Sequence, residues 1–100
     1  MINNLPVEVA IAILPRDGKF LMQLRDNIPT ILYPGLWGLF GGHIEAGETP
    51  EITVKREVLE EIGYQITNPQ KFGCYSDDRI TRHVFYAPLT VEIDRLVLSE

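Results

Sequence analysis

Apolar positions from Val7 to Leu14 run almost without a polar break, the pattern of a buried strand. Arg16-Asp17-Gly18-Lys19 then carries the Asp-Gly signal of a tight hairpin, with Phe20 to Leu24 returning as its partner. Two prolines and an isolated glycine mark an irregular loop from Asp26 to Gly35, and Leu36 to Phe40 reads as a short strand ending at Gly41-Gly42. Thr49-Pro50-Glu51 supplies a hydroxyl cap, a proline for the first helical position and an acid for the positive end of the dipole. A helix is therefore expected from Pro50 to Ile62, closed by Gly63, with Tyr64-Gln65-Ile66 extended after it. Lys71 to Ser76 and His83 to Ala87 read as strands around a turn at Asp77-Asp78, and Thr90 to Ile93 and Leu96 to Leu98 as further strand. The sum is a mixed α+β fold.

One hundred residues without repeat, linker or low-complexity stretch fit one domain, 1–100. The longest apolar run, Val9 to Leu14, is six residues long against the ~20 that span a bilayer, so no membrane helix is expected. The start of the chain lacks the basic segment of a secretory signal, and the reading is a cytoplasmic protein. The single cysteine, Cys74, has no partner for a disulfide and is expected to be a small core residue. Nine Lys and Arg against fourteen Asp and Glu give a net charge of -5, with no basic block for a nucleic-acid duplex to engage. An anionic substrate would need local cations to overturn that field.

On a Pro50 to Ile62 helix, Glu57, Glu60 and Glu61 fall within an arc of roughly 100°. Ile52, Val54, Val58, Leu59 and Ile62 occupy the rest, so core and carboxylates are expected to face opposite ways. Like charges at such spacing repel, and no lysine follows at helical spacing to offset them. Clustered hard oxygen ligands suit Mg²⁺, with Mn²⁺ as substitute, better than zinc; the bland alternative is a solvated acidic face.

The odds change with the whole segment from Gly42 to Tyr64: Gly42, five residues, Glu48, seven residues, Arg56-Glu57, an apolar residue, any residue, Glu60-Glu61, any residue, Gly63, and Tyr64 at the last apolar position. Ordinary residue frequencies yield such a match in roughly one chain in ten million. It resembles the signature of the Nudix hydrolase family with every fixed position filled, and the flanking hairpin, the Trp37 to Gly41 approach and the later strands follow in family order.

The resemblance implies the Nudix fold, a mixed sheet sandwiched between helices. Family members usually continue into another helix, so a chain ending at Glu100 is expected to be truncated and to lack it. The activity implied is metal-dependent hydrolysis of a diphosphate bond in a nucleoside diphosphate linked to another moiety, by water attack on phosphorus. The partner is thus a small nucleotide: a (deoxy)nucleoside triphosphate, as in the MutT-like enzymes, or a nucleotide sugar. A nucleotide-binding module that does not hydrolyse is the alternative, and a homodimer is a guess from the family's habit.

The resemblance makes Glu57, Glu60 and Glu61 the metal-binding carboxylates, with the Gly41 carbonyl a further ligand. Glu57 is the first choice for general base and Glu100, about where a late-loop acid would come, the second. Arg56, expected on another side of the helix from Glu60, pairs with Glu48 and fastens the loop to the helix, while Gly42, Gly47 and Gly63 shape the backbone. Arg25 is a candidate for substrate phosphate, with a solvated arginine the equal alternative. His43 is expected to be a loop histidine without a role, and Trp37, Phe40, Phe85 and Tyr86 to be core aromatics before base-stacking ones.

Overall fold

The computed structural model describes residues 7–24, 37–91 and 96. Arg25, Glu100, the loop between Asp26 and Gly35, and most of the strand expected near the end lie outside the described residues. Among the described residues the elements are β1 (Val7–Arg16), β2 (Lys19–Leu21), β3 (Gln23–Leu24), β4 (Trp37–Gly38), β5 (Phe40–His43), α1 (Pro50–Ile62), β6 (Gln70–Ser76) and β7 (Ile80–Tyr86). No helix among them is long and apolar enough to cross a membrane.

Strand β1 organises the main sheet. It runs parallel to β7 along one edge, and its other edge is shared in turn by β5, paired from Val9 to Ala12, and by β2, paired from Leu14 to Arg16, both antiparallel. Strand β6 lies antiparallel outside β7, which completes a mixed sheet. Asp17 and Gly18 turn between β1 and β2 with φ of 54° and 77°, the left-handed pair a tight hairpin requires. At the far end, the Asp77 carboxylate accepts from the backbone N–H of Arg79 and Ile80 at 2.7 and 2.8 Å, closing the β6–β7 turn.

The hairpin is shorter than its sequence pattern. Extending the β1–β2 register would set Gln23 against Ala12, but Ala12 is already opposite Phe40 of β5. The returning strand breaks at Met22, and Gln23–Leu24 pairs instead with Trp37–Gly38 in a second, two-stranded sheet. The strand expected from Leu36 to Phe40 divides at Leu39: Trp37–Gly38 joins the small sheet, and Phe40–His43 joins the main one, running through Gly41-Gly42 where an end was expected.

Helix α1 lies on one face of the main sheet. Val54, Val58 and Ile62 close on Ala10, Ala12 and Leu14 of β1, Phe40 of β5 and Phe85 of β7. These positions alternate along the strands, as one covered face demands. Ile52 and Leu59, expected in the core, are exposed, because the apolar positions the helix buries are the narrower stripe at Val54, Val58 and Ile62. Cys74, also expected in the core, is exposed on β6, whose one ladder partner among the described residues is β7. Phe40 and Phe85 are core residues as expected, whereas Tyr86 is exposed.

Tyr64 to Ile66 forms no strand. Tyr64 is held by its side chain: the ring is buried, and the hydroxyl bonds the Pro88 carbonyl at 3.1 Å and accepts from the Thr90 N–H at 3.1 Å. A tyrosine at this otherwise apolar position therefore fills the core and ties the segment after α1 to the one after β7. Thr90 and Val91 are likewise not in strand.

Candidate active site

Helix phase decides where the carboxylates go. Thr49 Oγ1 accepts from the Ile52 N–H at 3.2 Å, Pro50 opens the first turn, and Gly63, in the left-handed conformation at φ 69°, returns its N–H to the Leu59 carbonyl at 2.9 Å. Both ends match the expected boundaries. With the Val54–Val58–Ile62 stripe on the sheet, Glu57 and Glu61 come to lie beside β5. Core and acids therefore occupy neighbouring sides of α1, and not the opposite sides expected from the pattern.

Strand β5 meets these acids with backbone. The Gly41 N–H donates to Glu61 Oε1 at 3.1 Å. At Gly42 a β-carbon would run into the Glu57 carboxylate, so only glycine leaves room for that side chain where it stands.

Arg56 sits at the centre of the charge arrangement. Its Nε reaches Glu48 Oε2 at 2.7 Å and its Nη2 reaches Glu48 Oε1 at 2.9 Å, a two-pronged pair. Nη2 also donates to the His43 carbonyl at 3.3 Å. The Glu48 pairing and the fastening of the loop are as expected. The expected separation from Glu60 is not: Nη1 bonds Glu57 Oε2 at 2.8 Å and Glu60 Oε1 at 3.2 Å. Arg56 precedes Glu60 by four residues, a spacing at which helical side chains meet, and this cation takes the place of the absent lysine. His43 is exposed and enters only through its carbonyl.

Glu48 is bound on every side. Oε1 also accepts from the Thr53 hydroxyl at 2.8 Å and from the Glu45 N–H at 3.1 Å. Arg56 above all, then Thr53 and the Glu45 N–H, hold its carboxyl at about 2, well below the ordinary 4.5, while Glu48 in turn raises Arg56. A depressed folded value stabilises the protein above the unfolded value, and this contribution is lost as pH falls from about 4.5 toward 2. The melting temperature is accordingly expected to drop less steeply across that window in Glu48→Gln than in the wild type. Equal slopes in a calorimetric pH series would refute the assignment. Thr53 itself is missed by the pattern reading; its signal is a hydroxyl residue inside a helix, five positions after an acid.

As hard oxygen donors on one helix face, Glu57, Glu60 and Glu61 suit Mg²⁺ or Mn²⁺. Glu57 and Glu60 already share one cationic nitrogen, so their oxygens can approach a common positive centre. Glu61 is engaged by the Gly41 N–H, and among the described residues no three His, Cys, Asp or Glu side chains gather around one point. The donor set fits a hard cation in chemical type, and a shared ion would require the three carboxylates to turn toward it.

Comparison with known proteins sets this geometry in a family. A model of the NUDIX domain matches residues 4–98. A Bacillus subtilis (strain 168) protein provisionally named 8-oxo-dGTP diphosphatase is 30% identical over 82 residues, 80% of this chain and 51% of the relative. The nucleoside triphosphatase NudI of Salmonella agona (strain SL483) is 40% identical over 55 residues, 54% of this chain and 38% of the relative. The chain thus spans about half or less of the length of these curated relatives. Among solved structures, the MutT NUDIX hydrolase of Burkholderia pseudomallei superposes with a TM-score of 0.79 at 26% identity, covering 95% of this chain and 74% of that one. The solution structure of the E. coli ORF135 protein gives 0.71 at 30% identity, covering 85% and 62%. With the family model spanning nearly the whole sequence, this chain belongs to the NUDIX family.

Proposed function

We propose that the protein is a Mg²⁺-dependent pyrophosphohydrolase that cleaves a diphosphate bond in a nucleoside diphosphate carrying a further group. The observation that carries the reading is the set of three glutamates on one side of α1, flanked by the glycine backbone of β5 and braced by Arg56. The names of the similar proteins, a nucleoside triphosphatase and an 8-oxo-dGTP diphosphatase, favour a (deoxy)nucleoside triphosphate over a nucleotide sugar.

In this reading Glu57, Glu60 and Glu61, with the Gly41 carbonyl, hold Mg²⁺, for which Mn²⁺ can substitute. Bound there, the ion supplies charge neutralisation of the diphosphate and a lower pKa for water. That resolves how an anion approaches a chain of net charge -5. Glu57 takes the proton of the attacking water, whose oxygen bonds to phosphorus as the P–O bond to the leaving phosphate breaks. Glu100 is the second candidate for that proton, and Arg25 a candidate contact for substrate phosphate. Glu48 and Arg56 support the acids, and Gly42 and Gly63 shape their surroundings.

Gly42→Ala tests the site at its tightest contact. The added methyl meets the end of a flexible side chain, so stability should change little while Glu57 is displaced. Turnover is expected to fall by about a hundredfold, the cost of misplacing a reacting group by about 1 Å. Wild-type turnover in Gly42→Ala would mean that the position of Glu57 does not matter.

The substrate class is tested by a phosphate-release screen with Mg²⁺ over nucleoside triphosphates, nucleotide sugars, ADP-ribose and dinucleoside polyphosphates, coupled to pyrophosphatase or phosphatase as the product requires. Metal-dependent release from triphosphates supports the reading. Tight nucleotide binding without release from any of them would overturn it in favour of a binding module.

A further inference from the structure

Thr53 is the one polar side chain fully buried among the described residues, at 0% exposure, on the side of the helix it shares at three, four and seven residues' spacing with Arg56, Glu57 and Glu60. Threonine is a poorer helix former than alanine, and a buried hydroxyl without a partner is costly. Its bond here is not the common return to the carbonyl one turn back. The Thr53 N–H already serves the Thr49 carbonyl at 3.0 Å, while Oγ1 reaches out of the helix to Glu48 Oε1 at 2.8 Å.

We infer that Thr53 is a positioning residue for the carboxylate site: its hydroxyl pins Glu48 to α1, so that Arg56 is held against Glu57 and Glu60 and the two acids keep their spacing. The inference rests on the metal-site reading above. Arg56, itself on α1, grips Glu48 from the end of a long side chain, and the Glu45 N–H comes from an exposed loop. Thr53 adds a bond from a short side chain buried in the same helix, which restricts how far Glu48 can move relative to the acids. With Glu48 fixed at both oxygens, Nη1 of Arg56 is set between Glu57 Oε2 and Glu60 Oε1. Without the hydroxyl, Glu48 Oε1 keeps the Arg56 Nη2 and Glu45 N–H bonds but loses its anchor on the buried side of α1 and faces a methyl group there, so Glu48 shifts away from the helix and takes Arg56 with it.

The test is Mn²⁺ binding to the whole protein, followed by electron paramagnetic resonance, in the wild type and in Thr53→Val, Thr53→Ser and Thr53→Ala, with melting curves recorded in parallel. Thr53→Val keeps the shape and removes the hydroxyl, and its Mn²⁺ dissociation constant is expected to rise about tenfold, the lower end of what loss of a supporting hydrogen bond costs a metal site. Thr53→Ser keeps the hydroxyl and should retain wild-type affinity even where it melts lower. A merely structural threonine would show the reverse, with affinity unmoved in any variant that folds. Equal Mn²⁺ affinity in wild type and Thr53→Val overturns the inference and leaves the metal site standing. No Mn²⁺ binding by the wild type overturns the metal site itself. If Thr53→Val does not fold, Ser against Ala decides, since both lack the methyl and only one has the hydroxyl: weaker binding in Ala upholds the role and equal binding overturns it.

Discussion

Glu57→Gln and Glu60→Gln are each expected to lower turnover by at least about a hundredfold while the protein stays folded. Glutamine keeps the size of the side chain and an oxygen to accept from Arg56 Nη1, so the bonds now at 2.8 and 3.2 Å have a neutral replacement. What disappears is the negative charge that a divalent ion requires. The stability arithmetic separates this loss from misfolding. The Glu60 side chain is 59% exposed and its pair with Arg56 is of the surface kind, worth little to the fold. Glu57, at 19%, is more enclosed, and its replacement should cost somewhat more stability without unfolding the domain. Removing one of three like charges on the helix face offsets part of that cost. Both variants with wild-type turnover in a phosphate-release assay would remove these acids from the site.

Phe40→Ala is expected to cost about 3–5 kcal/mol. Phe40 is 1% exposed and sits where β5 meets Ala12 of β1, under the Val54–Val58–Ile62 stripe of α1. Truncation leaves a cavity lined by alanine and by residues fixed in a helix, neither able to move in and fill it. Against a total stability of about 5–15 kcal/mol for a small domain, this loss removes a large fraction of the margin. It also reaches the site, because the next two residues are Gly41 and Gly42, whose backbone receives Glu61 and Glu57. Urea unfolding followed by circular dichroism measures the change, and a loss below about 1 kcal/mol would show that Phe40 does not anchor β5. Phe40→Leu should lie between.

Helix α1 was legible to the residue because its boundaries are local chemistry: the Thr49 cap, Pro50 and the left-handed Gly63 act on their own neighbours and need no tertiary contact. The same holds for the Asp17-Gly18 turn. The motif from Gly42 to Tyr64 was legible for a different reason, since fixed spacing on a helix dictates which side chains share a side. What the pattern could not supply was what lies across from each element. Ile52 and Leu59 are apolar, yet the sheet reaches only the stripe at Val54, Val58 and Ile62. Cys74 sits on a strand with one ladder neighbour among the described residues, so its small apolar character was no guide to burial. The hairpin partner broke at Met22 because β5, distant in sequence, had taken Ala12.

At the site, the expectation that set Arg56 apart from Glu60 overlooked their spacing: four residues apart, they lie about 40° from each other on the wheel. From there the long guanidinium stem bonds Glu48, Glu57 and Glu60 at once. Thr53 was hidden for a different reason. Its short side chain looks like an ordinary helix residue until Glu48 folds back over the first turn.

Action of these carboxylates through a divalent ion on a nucleotide diphosphate bond is tested by hydrolysis of a nucleoside triphosphate panel by protein stripped with chelator and then titrated with Mg²⁺, beside Glu57→Gln treated in the same way. No release is expected before Mg²⁺ is added, release that rises and saturates with Mg²⁺ in the wild type, and little in the variant at any concentration. Release that persists after chelation, or that is equal in wild type and Glu57→Gln, would contradict it.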